Sequence, residues 1–183
     1  MKRKIFIGIA AIIIIFVGWV VYGLFIATPA SPPGTAEGSI GDLSIKVNYS
    51  RPYKKGRLIF GDESENALQP YGKYWRLGAN AATEITFNKD VTFAGKPASA
   101  GTYRMYAVPG PSDWEVSLNS ETGVFFGAAE PDYSLDVVKV QVPAQTTETE
   151  TEQFTILFTS DSTGAVMNFM WDRTLIRVPI APQ

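Results

Sequence analysis

Basic side chains crowd two short stretches of the chain, "YSRPYKKGRLIFG" and "YGKYWRLGAN". A guanidinium group can fork onto a carboxylate, sulfate or phosphate, and a tryptophan offers its face to sugar rings or cations. The two stretches therefore predict a binding site for an anionic or sugar-like ligand, or for a protein partner. The predicted ligand-binding residues are Arg51, Lys55, Arg57, Arg76 and Asn80.

The same residues also have a purely structural interpretation. Trp75 and Arg76 are neighbours, so on a strand they face opposite sides of the sheet, which places the tryptophan in the core. Trp114 and Trp171 occupy apolar positions of their strands and are also expected in the core. Arg76 can then brace a carboxylate or loop carbonyls instead of contacting a ligand. The Lys55-Gly56-Arg57 sequence is typical of a tight turn, and Asn80 is expected to cap the turn that begins at Gly78.

Several kinds of catalytic and metal site lack their usual residues. The sequence has no histidine and no cysteine, the commonest general base and the commonest soft metal ligands. It has no G-x-S-x-G or S-x-x-K motif, and the calcium-like start at Asp62 meets Ala67 and Lys73 where glycine and glutamate belong. We expect no catalytic residue, no metal and no cofactor. A hydrolase built on two carboxylates stays open as a minor alternative.

The chain begins with an apolar run. Residues 5–27 carry no charge, and a helix of that length spans about 34 Å, more than the ~30 Å hydrocarbon core of a bilayer. Three basic residues precede the run, which predicts a cytoplasmic tip (residues 1–4), a transmembrane anchor in the lipid bilayer (residues 5–27) and export of the remainder. A cleaved signal peptide is the alternative interpretation of the same run.

The remainder of the chain is predicted to be a linker and one β-rich domain. Residues 28–38 are rich in Pro, Gly, Ser and Thr, which favours a flexible linker. Apolar residues then recur at every second position, so residues 39–183 are predicted to form an all-β, antiparallel β-sandwich or jelly-roll-like domain. Without the three N-terminal basic residues, 13 Lys and Arg face 18 Asp and Glu, a net charge of −5. Such a domain is not expected to bind nucleic acid.

A series of short motifs appears in a fixed order over residues 31–180. They are Ser50-Arg51-Pro52, Lys55-Gly56-Arg57, Ile59-Phe60-Gly61, Pro70-Tyr71-Gly72, Trp75-Arg76, Gly78-Ala79-Asn80, Ala82-Thr83, Gly101-Thr102-Tyr103 and Trp114. In these motifs the chain resembles domain-of-unknown-function family 2911, a group of exported bacterial proteins. The resemblance implies a β-rich domain beyond the bacterial inner membrane, in the periplasm, and it implies no reaction.

Two positions depart from the pattern of that family. Ala81 stands where the family tends to have a glutamate, and Phe126-Gly127 stands where a Trp-Gly pair is usual. An acid at residue 81 that acted in relatives would therefore be missing here. The sequence predicts a membrane-anchored periplasmic binding module that is not an enzyme. The alternative is a structural scaffold of the cell envelope in which the basic residues are braces.

Overall fold

The computed structural model describes residues 2–25, 30–160 and 164–183 of the chain. Two compact units are present, Met1–Ala30 and Ser31–Gln183. The first contains helix α1 (Lys2–Phe25). The second contains the β-strands and all the predicted site residues.

The structure corrects the predicted membrane location. Among the described residues, no helix has both the length and the apolar character needed to cross a bilayer. The prediction of a single-pass inner-membrane protein with its head in the periplasm is contradicted, and the predicted bilayer contact through residues 5–27 loses its support. Residues 26 and 27 of that run lie outside the described part.

Strands dominate the second unit, and they confirm the predicted all-β class. Within the described residues they are β1 (Pro33–Ile40), β2 (Leu43–Ser50), β3 (Phe60–Gly61), β4 (Gln69–Pro70), β5 (Thr83–Phe87), β6 (Val91–Phe93), β7 (Lys96–Ala98), β8 (Gly101–Val108), β9 (Asp113–Asn119), β10 (Asp136–Ser160) and β11 (Ala165–Pro182). One antiparallel sheet runs in the order β1-β2-β5-β8-β9-β10-β11-β6-β7. A short parallel pair, β3 and β4, stands apart from it.

Strand β1 occupies most of the stretch that the sequence assigned to a flexible linker. Pro33 to Ile40 pair with Ser50 to Leu43 across a turn in which Gly41 has a φ of 56°. Prolines are tolerated here because β1 is an edge strand of the sheet. A composition rich in Pro, Gly and Ser predicts a linker only where no neighbouring strand supplies hydrogen bonds, and β2 supplies them here. Residues 28 and 29 of the predicted linker lie outside the described part.

The sheet folds back on itself, so that β10, β11 and β6 cover β1, β2 and β5. The Tyr49 ring of β2 lies 5.6 Å from the Phe154 ring of β10, although three strands (β5, β8 and β9) separate β2 from β10 in the sheet order. The Ile156 backbone N–H donates to the Tyr49 hydroxyl over 2.9 Å. At the other end of the fold, Phe87 of β5 contacts Phe93 of β6 at 6.4 Å. One continuous apolar core therefore lies between two halves of a single sheet.

Aromatic rings fill the centre of this core. The Trp75 ring lies 4.9 Å from Phe154 and 5.7 Å from both Trp114 and Trp171, with Phe60 against the same cluster at 5.4 Å from Trp75. The three tryptophans are each 2 % exposed. The prediction that they belong to the core is confirmed. Rings in edge-to-face contact add to what their burial alone contributes.

We expect Phe154→Ala to lower the free energy of unfolding of the Ser31–Gln183 unit by about 3–5 kcal/mol, because it removes a buried ring and leaves a cavity. Phe125→Ala is the matched control: Phe125 is 90 % exposed, against 1 % for Phe154, so its replacement should change stability by about 0.5 kcal/mol or less. Urea unfolding followed by far-UV circular dichroism measures both. Equal losses in the two variants would contradict the packing described here.

Candidate functional site

The predicted site residues form two separate groups, and the first lies in the turn after Arg51. The Arg57 guanidinium donates to the backbone carbonyls of Lys54 (2.9 Å) and Tyr53 (2.5 Å). The backbone N–H of Lys55, at a φ of 52°, donates to a Glu152 carboxylate oxygen over 2.8 Å. Much of the hydrogen-bonding capacity of Arg57 is therefore spent on holding its own turn.

Arg51 is half-buried between β1 and β10. Its Nη2 donates to the Thr155 hydroxyl over 3.2 Å, while its backbone N–H donates to Pro32 and its carbonyl accepts from the Gln153 side chain. Its Nε is buried without a hydrogen-bond partner among the described residues. These contacts tie the end of β2 to β10, and they direct the charge of Arg51 toward the fold rather than toward Arg76.

The second group is Arg76 with Asn80. The Arg76 Nη1 donates to the Asn80 carbonyl over a long 3.4 Å, and the guanidinium carbon lies 5.9 Å from the centre of the Phe126 ring. Asn80 has a φ of 59°, which asparagine tolerates better than most residues, and its side chain donates to the Ser31 carbonyl over 3.2 Å. The structure thus brings Arg76 and Asn80 together, and no contact among the described residues joins them to Lys55 or Arg57.

A cavity of about 390 Å³ opens beside Asn80, and sequence reasoning missed it. Its walls come from the β1–β2 hairpin, from the chain that enters β5 and from the loop between β9 and β10. The side chains that matter most for recognition are those of Thr35, Asn48, Tyr49, Glu84 and Phe125, and Ala81 also lines the wall. None of the five predicted site residues lines it. No short motif encodes it, because its three walls are far apart in sequence.

The loop of residues 121–130, hereafter the 121–130 loop, forms one wall of the cavity and is held against the start of β5. The Gly123 N–H donates to a Glu84 carboxylate oxygen over 2.6 Å. Further along the loop, the Ala82 N–H donates to Val124 and the Gly127 N–H donates to Asn80. A side chain at Gly127 would place its Cβ 2.7 Å from the Ala82 nitrogen, so only glycine permits this close approach.

The other side of the 121–130 loop rests on a buried arginine. Arg104 of β8 is only 1 % exposed. Its guanidinium donates to Glu121 (2.5 Å), to the Ala129 carbonyl (2.5 Å) and to the Tyr74 hydroxyl (2.6 Å). Tyr74 in turn donates to the Gly127 carbonyl over 2.9 Å. Arg104 therefore holds the loop directly at Glu121 and Ala129, and through Tyr74 at Gly127.

A second set of polar groups extends this cluster across the same face of the sheet. The Tyr106 hydroxyl of β8 donates to Asp136 over 2.7 Å, and the Asn119 amide donates to the other oxygen of that carboxylate over 2.8 Å. Lys139 lies 2.9 Å from Asp136. Burial raises the pKa of Tyr106, and its bond to the Asp136 carboxylate raises that pKa further. Burial also raises the pKa of Tyr74, against the lowering effect of the nearby Arg104.

The sequence does hold a signal for this cluster. Tyr103, Met105 and Ala107 face the core, so Arg104 and Tyr106 share the opposite face, and on β9 Ser117 and Asn119 do the same. The strand register places Arg104 opposite Asn119 and Tyr106 opposite Ser117. Alternation alone assigns such residues to a solvated face. Only the tertiary structure shows that the 121–130 loop covers them.

These geometries offer little to a metal ion. Among residues 2–25, 30–160 and 164–183, no group of three or more His, Cys, Asp or Glu side chains is arranged to hold one. The stretch after Asp62, weighed above as a calcium loop, forms a short 3-10 turn at Glu63–Glu65 in which the Glu65 carboxylate accepts from the Asp62 N–H.

Comparison with known proteins places the chain in a family. The model of the family described as "Protein of unknown function (DUF2911)" matches residues 31–180. The chain belongs to the DUF2911 family. The match confirms the resemblance found in the motifs, and it coincides with the Ser31–Gln183 unit. No curated protein and no solved structure matches the chain. In this DUF2911 domain, the two departures from the family pattern, Ala81 and Phe126-Gly127, meet at the rim of the cavity.

We expect Arg104→Ala to lower the free energy of unfolding by about 3 kcal/mol, because the buried cluster loses its charged donor and the loop loses its anchor. Arg57→Ala is the control: it also removes a guanidinium that binds backbone carbonyls, but at an exposed turn, and should cost about 1 kcal/mol or less. Urea unfolding measures both. The role of the Arg104 cluster would be refuted by equal costs in the two variants.

The raised pKa of Tyr106 predicts a loss of stability in alkali. Below the ordinary tyrosine pKa of 10.0 both folded and unfolded states keep the phenol proton, so the contribution is complete. As the pH rises above that value the unfolded state releases the proton first, and stability falls by up to about 1.4 kcal/mol per pH unit. Urea midpoints between about pH 8 and pH 11.5 should therefore fall less steeply in Tyr106→Phe than in the wild type. Parallel curves would contradict the burial of this hydroxyl.

Proposed function

We propose that the DUF2911 domain of this chain is a non-catalytic binding module that takes a neutral, hydroxyl-rich, sugar-like ligand in the 390 Å³ cavity. The observation that carries the proposal is the composition of the cavity wall: the exposed ring of Phe125 stands with the Thr35, Asn48 and Glu84 side chains around one opening. Ligand sites typically combine apolar walls with a few polar groups that orient the ligand. The two halves of the sheet pack face to face, which supports placing the fold among β-sandwiches.

The charge of the cavity favours a neutral ligand over an anionic one. Glu84 is the carboxylate in its wall, and no basic side chain of the described residues lines it. A carboxylate accepts hydrogen bonds from hydroxyl groups, whereas it repels a second negative charge nearby. The Asn48 and Thr35 side chains, which already contact each other at 3.3 Å, offer both donors and acceptors. This pattern suits the alternating hydroxyl groups of a sugar.

Phe125 supplies the apolar surface that a sugar ring needs. The side chain is 90 % exposed, although the loop that carries it is pinned on both sides by hydrogen bonds. The flat C–H face of a pyranose can pack on the Phe125 ring, while the hydroxyl groups at the edge of the sugar reach the polar side chains of the opposite wall.

The chemistry of the cavity supports binding rather than catalysis. A glycosidase of the usual kind needs two carboxylates about 5–9.5 Å apart. Among the described residues that line the cavity, Glu84 is the one carboxylate, and its oxygen is occupied by the Gly123 N–H. The sequence has no histidine or cysteine, so the hydroxyl groups in the wall lack the base that most often activates them.

A structural scaffold is the second candidate, and a specific observation favours it. Arg57 and Arg104 both spend their guanidinium groups on backbone carbonyls, as braces do. On this hypothesis the cavity is a by-product of the loop packing, and the domain presents its surface to an envelope partner without binding a small ligand.

Titration of the whole chain with cellotriose, maltotriose, laminaritriose and mannotriose tests the proposal. We expect at least one neutral trisaccharide to bind, and Phe125→Ala to weaken it about tenfold, since a stacked ring contributes roughly 1–1.5 kcal/mol. Leu58→Ala is the control, because Leu58 is an exposed apolar side chain that does not line the cavity, and it should bind as the wild type does. Isothermal titration calorimetry measures each affinity. Binding of none of the four sugars, or equal binding by Phe125→Ala, would favour the scaffold.

A further inference from the structure

We infer that Arg76 and Phe126 form a second subsite, which binds the carboxylate or sulfate of an acidic sugar unit adjoining the neutral unit in the cavity. The inference rests on the proposed function and names the ligand class more closely: an oligosaccharide in which a neutral residue neighbours an acidic one.

The two adjacent phenylalanines of the 121–130 loop lie at different sites. Phe125 lines the cavity, whereas Phe126, 68 % exposed, lies beside the Arg76 guanidinium at 5.9 Å. The Asn80 carbonyl joins the two places, because it accepts from both Arg76 and the Gly127 N–H, and the next residue, Ala81, is part of the cavity wall. A ligand that leaves the cavity past Ala81 and Asn80 therefore approaches the Arg76 side chain.

The charge of Arg76 is not neutralised within the described part of the protein. Arg104 is paired with Glu121, and Lys54 with Glu150 and Asp172, but no carboxylate of the described residues lies within ion-pair distance of Arg76. Its hydrogen bond within the described part of the chain is one long contact of 3.4 Å to the Asn80 carbonyl. A guanidinium has five N–H donors in a planar fork, so most of the capacity of Arg76 is available to an incoming carboxylate or sulfate.

The Phe126 ring strengthens this site for an acidic sugar in particular. A ring beside a guanidinium shields it from water on one side and keeps its plane fixed, which favours bidentate binding of an anion. The same ring presents an apolar surface to the C–H face of the sugar that carries the acid. A free inorganic anion gains only the first of these contacts.

Glu84 and Arg76 together determine the order in which the neutral and acidic sugar units of a ligand bind. The Glu84 carboxylate in the cavity wall disfavours an acidic unit there, and the positive charge at the rim attracts one outside. An oligosaccharide with acidic and neutral units in sequence therefore has one favourable register. A fully neutral chain fills the cavity and leaves Arg76 unmatched.

The test compares each of the four neutral trisaccharides with two analogues in which the primary alcohol of one or the other terminal unit is oxidised to a carboxylate. We expect one analogue to bind the wild type about tenfold more tightly than its neutral parent in low salt, and this preference to shrink as salt is added. Arg76→Ala should abolish the preference and leave the affinity for the neutral parent unchanged. That unchanged affinity also shows that the variant is folded.

Control variants separate a specific contact from general attraction. Arg57→Ala removes an equal charge away from the rim and should keep the tenfold preference, whereas Phe126→Ala should reduce it. Arg76→Lys should keep part of the preference for the acidic analogue, because a lysine retains the charge but not the planar set of N–H donors. If neither analogue exceeds the neutral parent, or if Arg76→Ala and Arg57→Ala behave alike, the subsite is refuted while the cavity proposal stands. If an analogue binds through Arg76 and no neutral sugar binds at all, the cavity proposal fails and the Arg76 subsite survives.

Discussion

The burial of the Arg104 guanidinium constrains the rest of the candidate site. A charge that is 1 % exposed is costly unless acceptors surround it, and here the acceptors belong to the 121–130 loop and to Tyr74. The loop therefore cannot take an arbitrary path: Glu121 and Ala129 must return to the same guanidinium. The seven-residue segment between them arches outward, and Phe125 lies on that segment. The shape of one cavity wall follows from the need to satisfy a buried arginine on the far side of the loop.

The two faces of β8 and β9 contribute in different ways to holding the 121–130 loop. Inward residues such as Met105 and Leu118 join the apolar core, whose burial drives folding without specifying direction. Outward residues such as Tyr106 and Asn119 form hydrogen bonds that are satisfied in one geometry only. The sheet supplies rigidity from one face and specificity from the other. A loop without regular secondary structure can thus hold an exposed aromatic ring in place.

Sequence reasoning was successful where short-range periodicity decides the structure. Alternation identified the strands and the all-β class, and it placed Trp75, Trp114 and Trp171 in the core. It was unsuccessful where a distant segment decides: β1 is a strand because β2 pairs with it, and Arg104 is buried because the 121–130 loop covers it. The predicted site had the same weakness. Charge clustering found Arg76 and Asn80 near the cavity rim, but it grouped them with Lys55 and Arg57, which lie in a separate turn, and it could not find a cavity whose walls come from three parts of the chain. The membrane location was predicted from hydropathy, length and the flanking basic residues, and no described helix is both long and apolar enough to cross a bilayer.

The net charge of the domain does not show how charge is distributed around the cavity, where Glu84 lies in the wall and Arg76 lies at the rim. The Ser31–Gln183 unit is acidic overall, which keeps polyanions at a distance in dilute salt. Against this background, one unpaired guanidinium at the rim acts only at short range, because the Debye length at physiological salt is about 8 Å. An acidic group gains from Arg76 only after a neighbouring neutral unit has brought it there. Such an arrangement selects a ligand by the order of its sugar units rather than by its total charge. Shape and hydroxyl contacts bind the neutral unit first, and the ion pair with Arg76 then fixes the register of the oligosaccharide.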